Sequence, residues 1–295
     1  MKVGTIMEPL NSYYDEETVL RMIAEAGFDS VDYSLIRNYK DAMWQLSDDE
    51  LRQEMEAVKA KADKYGLMIG QTHSPFQGDW IHCPESKEAR WQAQVQAIKA
   101  TAYLGSPYTV IHPLKPQGRI TDKGYYEYAK ELNMEYYRFL EPYLREYNVK
   151  GAIENLFTND SILVRTAKTS CSTAEAIIDY IDTLNSERFV ACLDVGHAVL
   201  CGEDPVQMIY KLGKKYLHVT HVHDNDCLND DHYMPGIGKI DWYAIGRSLN
   251  DIGYEGVFNF EANRTFERIV PFRIELTVDF LKVYIEMAKA ITNVK

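Results

Sequence analysis

Short apolar runs alternate with longer amphipathic segments along this chain of 295 residues. The short runs are rich in β-branched residues, as buried strands are, whereas the longer segments repeat apolar residues at the helical spacing i, i+3 and i+4. We predict a helix between each strand and the next. The predicted strands are Lys2–Ile6, Ser30–Ser34, Met68–His73, Tyr108–His112, Gly151–Leu156, Val190–Asp194, Leu217–His223 and Val257–Glu261.

Helix start and stop signals separate these strands. Serine or aspartate before a helical segment caps its first turn, a glutamate three residues later completes a capping box, and glycine ends a helix. The predicted boxes are Ser47 with Glu50 and Ser172 with Glu175, Asp204-Pro205 starts a later helix, and Gly66 and Gly213 are stops. A last helix, from about Arg273 to Ile291, follows the final strand.

Strict alternation of strand and helix predicts parallel strands joined by right-handed crossovers. Eight such units in a chain of this length favour a single (β/α)8 TIM barrel, one α/β domain over residues 1–295. A doubly wound open sheet is the alternative, but the glycine-rich phosphate loop typical of that fold is missing. A barrel places its chemistry at the C-terminal ends of its strands.

Composition narrows the classes of partner and the compartment. No apolar run approaches the ~20 residues that cross a bilayer, and MKVGTIMEPL is unlike a signal peptide. The five cysteines form no CxxC pair, so we expect reduced thiols in a cytoplasmic protein. The formal charge of −12 and the lack of Lys/Arg runs argue against a nucleic acid partner, and the lack of a long apolar run argues against a membrane partner. Homo-oligomerisation is left open.

Acids and histidines stand at the predicted strand ends. A carboxylate that ends an apolar strand is costly unless it is paired or binds a cation, which applies to Glu154 in KGAIENL and Glu261 in VFNFEAN. In CLDVGHA, Asp194 ends a strand and His197 follows in a turn, so both side chains can enter one cavity without a helix.

Histidines complete this set. In HVTHVHDND, His221 and His223 share strand parity and point into the barrel at different depths. We expect His223, nearer the mouth, to be the ligand, and His221 to support a ligand or fill the core. Further candidates are His73, His112, Asp230 and His232, whereas His82 has no assignable partner.

Together the segments HSPF, IENL, LDVGHA, HVHDND and DDHYMPGIGKIDW resemble the xylose isomerase-like TIM-barrel superfamily. That superfamily contains sugar isomerases, 3-epimerases, inosose dehydratases and type-four apurinic endonucleases. The resemblance covers nearly the whole chain and implies a divalent-metal enzyme.

In the isomerase and epimerase branch, the resemblance implies one metal ion held by Glu154, Asp194, His223 and Glu261. The two glutamates would be the acid/base pair, and His197 would hold a carbohydrate-like substrate. The oxygen-rich ligand set suits Mn²⁺, Co²⁺ or Mg²⁺, and one imidazole also allows Zn²⁺. We therefore expect a sugar, sugar phosphate or polyol isomerase or epimerase.

The chain departs from ketohexose 3-epimerases at two positions. Asn229 stands where they have a substrate-binding arginine, and Asp160 where they have a further glutamate. Both departures argue against a simple ketohexose epimerase. Arg264 is a candidate for holding a carboxylate or phosphate.

The endonuclease branch implies a second set of ions. His73 and His112 with Glu154 would hold one more, and His197, Asp230 and His232 another, for up to three per chain. A zinc or manganese phosphoesterase is therefore the alternative function. A barrel that only binds partners is a third hypothesis, against which the full ligand set argues.

Overall fold

Eight parallel strands form the central sheet. The computed structural model describes residues 1–76, 81, 83–116, 118–160, 165–267 and 274–294. The strands of the central sheet are β1 (Lys2–Ile6), β2 (Ser30–Ser34), β3 (Met68–His73), β4 (Tyr108–Ile111), β5 (Lys150–Glu154), β8 (Phe189–Asp194), β9 (Leu217–His221) and β10 (Val257–Phe260).

The sheet closes on itself. Its order is β10-β1-β2-β3-β4-β5-β8-β9, so sequential barrel strands are neighbours throughout. The last gap is bridged where Val222 N–H donates to the Asn259 carbonyl at 2.8 Å and Glu261 N–H donates to the Val222 carbonyl at 3.0 Å. The predicted (β/α)8 barrel is confirmed, and the doubly wound alternative is wrong.

Helices surround the sheet. They are α1 (Glu16–Ala26), α2 (Asp48–Lys64), α3 (Lys87–Tyr103), α4 (Tyr125–Glu146), α5 (Ala174–Leu184), α6 (Val195–Leu200), α7 (Pro205–Tyr216), α8 (Trp242–Asp251), α9 (Arg264–Glu267) and α10 (Ile274–Thr292). Short 3-10 turns occupy Leu10–Ser12, Ala42–Gln45 and Pro84–Ser86. The predicted start of the last helix, Arg273, lies outside the described residues.

Several predicted helix ends are confirmed and one is wrong. Ser47 and Glu50 form the capping box of α2, and Asp204 caps α7. The cap of α5 is Thr173 rather than Ser172, whose hydroxyl donates to the Leu156 carbonyl instead. The predicted stop at Gly213 is confirmed, since Gly213 has a φ of 55° and breaks the helical geometry of α7 before its last residues, which reach Tyr216.

An antiparallel hairpin not predicted from the sequence follows β5. Its strands are β6 (Phe157–Asp160) and β7 (Arg165–Lys168), paired from Phe157 opposite Lys168 to Asp160 opposite Arg165. The hairpin begins three residues after Glu154, and its first residue, Phe157, packs against the ring of His197.

Two apolar layers hold the barrel. A large core lies between the sheet and the helices and includes the fully buried Tyr136, Tyr137 and Tyr180. A smaller cluster of Val110, Ala152, Val190, Cys192 and Val219 forms a separate group. Strand alternation puts Ala152 on the same face as Glu154, and Cys192 on the same face as Asp194, so this cluster underlies the polar layer. No helix within the described ranges is long and apolar enough to span a membrane.

Candidate metal centre

Four side chains converge at the C-terminal end of the barrel, and we call them the inner cluster. They are Glu154, Asp194, His221 and Glu261, and one ligand atom of each lies within 4.8 Å of every other. The first three are the last residues of β5, β8 and β9, and Glu261 directly follows β10. Ladder hydrogen bonds of the sheet therefore fix their positions. The first three residues are fully buried, and the Glu261 side chain is 15% exposed.

The Nδ1 atom of His221 is the point on which the inner cluster converges. It lies 3.0 Å from Glu154 Oε1, 3.1 Å from Glu261 Oε2 and 3.9 Å from Asp194 Oδ2. Strand β10, which leads into Glu261, is separated from β5 by β8 and β9 around the closed barrel. The two glutamates thus approach one volume from well-separated sides.

His221, not His223, completes this quartet. From the sequence we expected His223 to be the histidine ligand and His221 to support a ligand or fill the core. In the sheet His221 pairs with Asp194, whereas His223 lies beyond the end of β9. A register shift between Ala191 and Cys192 sets which residue of β9 reaches the level of Asp194. Because both histidines have the same parity, side-chain alternation could not separate them.

His223 belongs instead to a second group, which we call the outer cluster. It consists of His197, His223, Asp230 and His232, whose ligand atoms lie within 4.8 Å of one another. Asp230 Oδ1 is 3.7 Å from His197 Nε2 and 3.9 Å from His223 Nε2. Asp194 links the two clusters, since its Oδ1 lies 3.0 Å from His223 Nε2.

Close packing fixes the His223 ring in this position. The imidazole stacks on that of His232 with centroids 4.0 Å apart and planes 13° from parallel. Its other side meets Gly196, where an added Cβ would overlap the ring. The glycine of the LDVGHA segment is therefore required by the close approach of a histidine.

A buried aspartate that our sequence analysis did not use anchors the loop carrying Asp230 and His232. The Asp224 carboxylate accepts hydrogen bonds from the Gly236 N–H and the Trp242 Nε1–H, both at 2.9 Å. The backbone of Asp224 also pairs with that of Tyr233. Asp224 of HVHDND and Trp242 of KIDW are thus hydrogen-bond partners. The signal in the sequence was the occurrence of both segments, a buried acid in one and an indole donor in the other.

His197 stands in the first turn of a helix, contrary to the predicted turn. Asp194 is the N-cap of α6, and its Oδ1 accepts the His197 N–H at 2.6 Å. Asn155, which directly follows the neighbouring strand β5 and was not predicted as a site residue, supports Asp194: its side-chain amide accepts from the Asp194 N–H and donates to the Asp194 carbonyl, each at 2.8 Å. The Asn155 carbonyl lies 3.0 Å from His197 Nδ1.

A third group, the side cluster, consists of His73, His112 and Glu154. The two histidine Nε2 atoms are 2.9 Å apart, and Glu154 Oε2 lies 2.6 Å from that of His112. Phe76 packs on both rings, with centroids 5.9 Å from His73 and 4.6 Å from His112. All nine predicted ligand residues are thus brought together, and His221 is added to them.

The remaining candidates are placed differently. Asn229 lies on an exposed turn, where its side-chain amide donates to Asp226. Arg264 is exposed at the start of α9. The His82 and Asp160 side chains lie outside what the structure describes.

Buried acids dominate the electrostatics of the centre, and one lysine lies near them: burial lowers the pKa of Lys115, while the charges of Glu154 and Asp230 act to raise it. Among the described residues, Glu154, Asp194, Asp230 and Glu261 form ion pairs only with histidines. Burying carboxylates in this way is costly unless a cation compensates them. Burial raises the pKa of Glu261 to about 7.

The pKa values of the histidines shift in opposite directions. Burial disfavours a protonated His197, but Asp194, Asp230 and Glu154 raise its pKa to about 10. His232 is likewise raised to about 9, mainly by Asp230 acting against burial. Burial, together with the charge of His112, lowers the pKa of His73. The two histidines whose pKa values are raised, His197 and His232, are therefore the ones that lie beside Asp230.

The donor set fits a divalent cation. Three carboxylates and one imidazole in the inner cluster suit Mn²⁺, Co²⁺ or Mg²⁺ and also allow Zn²⁺. In the outer cluster, the buried Asp230 Oδ1 and His223 Nδ1 make no hydrogen bond to any described residue, as is expected of atoms that bind a ligand.

Comparison with known proteins agrees with this architecture. Residues 20–284 match the model of the family described as xylose isomerase-like TIM barrel. The chain belongs to that family. Fructoselysine 3-epimerase of Escherichia coli O157:H7 is 31% identical over 88 residues, which are 30% of this chain and 32% of that protein. The MJ1311 protein of Methanocaldococcus jannaschii is matched over 60% of its own length. The chain therefore spans only part of the length of each of these two relatives.

Solved structures of other proteins are similar over the whole barrel. The 3-keto-D-glucoside 4-epimerase YcjR from E. coli aligns with a TM-score of 0.72 at 18% identity, covering 98% of this chain and 99% of that one. The IolI protein with a bound zinc atom aligns with a TM-score of 0.70 at 16% identity, covering 100% and 99%. At such identities the likeness establishes the fold.

Proposed function

We propose that this protein is a divalent-metal-dependent isomerase or epimerase of a sugar, sugar phosphate or related polyol. The observation that carries the proposal is the convergence of Glu154 and Glu261, from separated strands, on His221 Nδ1 at 3.0 and 3.1 Å. The names of the relatives support the same class, since fructoselysine 3-epimerase and 3-keto-D-glucoside 4-epimerase both denote enzymes that invert one stereocentre of a sugar derivative.

In this proposal the inner cluster holds one cation. A divalent ion bound there would polarise the substrate carbonyl and stabilise the enediolate formed by proton removal. Glu154, Asp194, His221 and Glu261 are the proposed ligands, and the zinc atom bound by IolI supports a metal role in this fold.

The two glutamates differ in a way that suits opposite halves of a proton transfer. Burial would raise the pKa of Glu154, but the charges of His112 and His221 hold it well below its usual value. Burial instead raises the pKa of Glu261 to about 7. Glu154 is then the carboxylate that takes the proton from the carbon next to the carbonyl, and Glu261 the acid that returns one from the other side.

His197 orients the substrate in this account. Its Nδ1 is directed to the Asn155 carbonyl at 3.0 Å, which leaves Nε2 toward the mouth and Asp230. Phe157 packs against the same ring, with centroids 5.1 Å apart, and narrows the approach. An imidazolium hydrogen bond to a hydroxyl or carbonyl oxygen would fix which carbon lies between the glutamates.

Solvent exchange tests the proton transfer directly. Wild-type protein supplied with Mn²⁺ is incubated in D₂O with a panel of ketoses and ketose phosphates, and deuterium next to the carbonyl is followed by NMR. We expect exchange with at least one compound, and an about 10²–10⁴-fold slower rate for Glu154→Gln or Glu261→Gln. Glu187→Gln, at a side chain that is 68% exposed, is the control. Exchange at the wild-type rate in both site variants contradicts the assignment.

A second candidate function is favoured by the side and outer clusters. Each places at least three ligand atoms within 4.8 Å beside the inner cluster, with Glu154 shared with one and Asp194 contacting the other. Such a grouping suits a multinuclear phosphoesterase. That function predicts two or three zinc or manganese ions per chain and hydrolysis of a phosphate ester. Loss of ions in His112→Ala and His232→Ala would support it, and one ion in wild type would exclude it.

A further inference from the structure

Asp32 is a buried carboxylate inside the barrel that the proposed reaction does not use. It lies in the middle of β2 and is 1% exposed. Its Oδ2 accepts from the Gln71 side-chain amide at 2.8 Å and from that of Asn259 at 3.3 Å. An acid in the barrel interior held by two amides is expensive unless its charge serves a neighbour.

That neighbour is His221. The Nε2 atom of His221 lies 3.5 Å from Asp32 Oδ2, on the side of the ring away from the inner cluster. Neither this Nε2 nor the Oδ1 of Asp32 has a hydrogen-bond partner among the described residues. The unpartnered Nε2 therefore faces Oδ2, the carboxylate oxygen that the two amides hold in place, across a distance slightly longer than a normal hydrogen bond. The other oxygen of the same carboxylate, Oδ1, has lone pairs to spare.

The two nitrogens of His221 have different tasks. Nδ1 faces Glu154 and Glu261, where it must carry a lone pair to bind a cation. A neutral imidazole then carries its proton on Nε2, and only an acceptor at that end stabilises this tautomer. Histidine ligands of metals are commonly oriented by a carboxylate in this way.

We propose that Asp32 is a positioning residue that accepts the Nε2–H of His221 and thereby sets the tautomer and ring orientation of this ligand. Gln71 and Asn259 hold the carboxylate in place from β3 and β10. The inference rests on the proposed function, because it requires that the inner cluster bind a cation. Asp32 itself does not contact substrate.

Cobalt binding tests the inference without any assay of turnover. Metal-free wild type, Asp32→Asn and Asp29→Asn are titrated with Co²⁺, and affinity, stoichiometry and the visible absorption bands are recorded. Asp29 is the matched control, because its carboxylate accepts the Val3 N–H near the other end of β2. Circular dichroism of each metal-free variant checks the fold.

We expect Asp32→Asn to bind the same number of ions about 10–100-fold more weakly, with shifted absorption bands. Asp29→Asn should match wild type. An Asp32→Asn variant with wild-type affinity and spectrum overturns the inference, and loss of one ion from the stoichiometry shows that Asp32 is a ligand instead. Wild type that binds no cobalt contradicts the proposed function itself.

A second variant guards against a failure of Asp32→Asn to fold. Gln71→Met keeps the side-chain length but removes the 2.8 Å hydrogen bond that holds Asp32. We expect weaker cobalt binding than in wild type and absorption bands displaced in the same sense. Unchanged affinity and bands would overturn the positioning role.

Discussion

The inner and outer clusters differ in what holds them. Three of the inner residues end barrel strands, so ladder hydrogen bonds fix Glu154, Asp194 and His221. The outer residues come from the first turn of α6, from the segment after β9 and from the loop before α8. Their positions depend on a few side-chain hydrogen bonds, those of Asp224 above all.

The difference separates two requirements of a barrel enzyme. A carboxylate that must exchange a proton has to be placed to within a fraction of an ångström, and sheet residues satisfy that requirement best. Loop residues can change without disturbing the barrel and so adapt to a substrate. We therefore expect the reaction to depend on the inner cluster and its selectivity to depend on the outer one.

The largest expected effect is the loss of kcat/KM on replacing His221, which distinguishes it from the nearby His223. His221→Ala removes an inner ligand and should lower kcat/KM by more than the 10–100-fold typical of losing a residue that only supports a ligand. His223→Ala, in the outer cluster, should have a smaller effect. Steady-state kinetics at saturating Mn²⁺ measure both. A reversed order would mean that His223 is the inner ligand after all.

The next effect tests the anchor of the outer cluster. Asp224→Asn weakens the hydrogen bonds from Gly236 and Trp242, and hydrogen bonds to charged groups contribute about 1.5–3 kcal/mol each. We expect lower thermal stability and a raised KM with inner-cluster metal binding retained. Trp242→Phe, which removes one donor, is the milder companion. Loss of the inner ion in Asp224→Asn would show that the clusters are not independent.

A smaller effect is expected from within the outer cluster. His232→Ala removes the ring stacked on His223 at 4.0 Å but no inner ligand. On the isomerase account KM rises while deuterium exchange at saturating substrate changes little. Abolished exchange would count against a division of labour between the clusters.

The smallest effect concerns an acid that neither cluster contains. Burial, aided by the charge of Asp32, raises the pKa of Glu8 above its usual value. A carboxylate with a raised folded-state pKa favours the fold below its unfolded pKa of about 4.3 and loses that contribution as pH rises through the folded value. Glu8→Gln should therefore melt slightly higher than wild type at pH 8. Scanning calorimetry at about pH 3, where Glu8 is almost fully protonated in both states, should show no such difference.

Much of this organisation was predictable from periodicity. Strands β1, β2 and β3 have the predicted bounds, and β9 and β10 begin where predicted. Because acids at strand ends are rare and costly, the strand ends occupied by Glu154, Asp194 and Glu261 could be singled out as a candidate site without a structure, and the three side chains do lie together.

The remaining features depend on relations between strands. The choice of His221 over His223 follows from a register shift between β8 and β9, which no single-strand pattern encodes. In the sequence Asp32 is an ordinary strand residue. Its role depends on His221, from a strand far away in the chain, whose Nε2 lies 3.5 Å from Asp32 Oδ2. Hairpin β6–β7 carries no turn signal strong enough to separate it from a loop.

Metal stoichiometry tests the central claim most directly. Protein purified and reconstituted with Mn²⁺ is dialysed and analysed for bound metal together with Asp194→Asn and His232→Ala. One ion per chain in wild type, retained in His232→Ala and lost in Asp194→Asn, is the result that we predict for a catalytic inner cluster. Two or three ions in wild type, with loss in His232→Ala, would contradict it and favour the phosphoesterase.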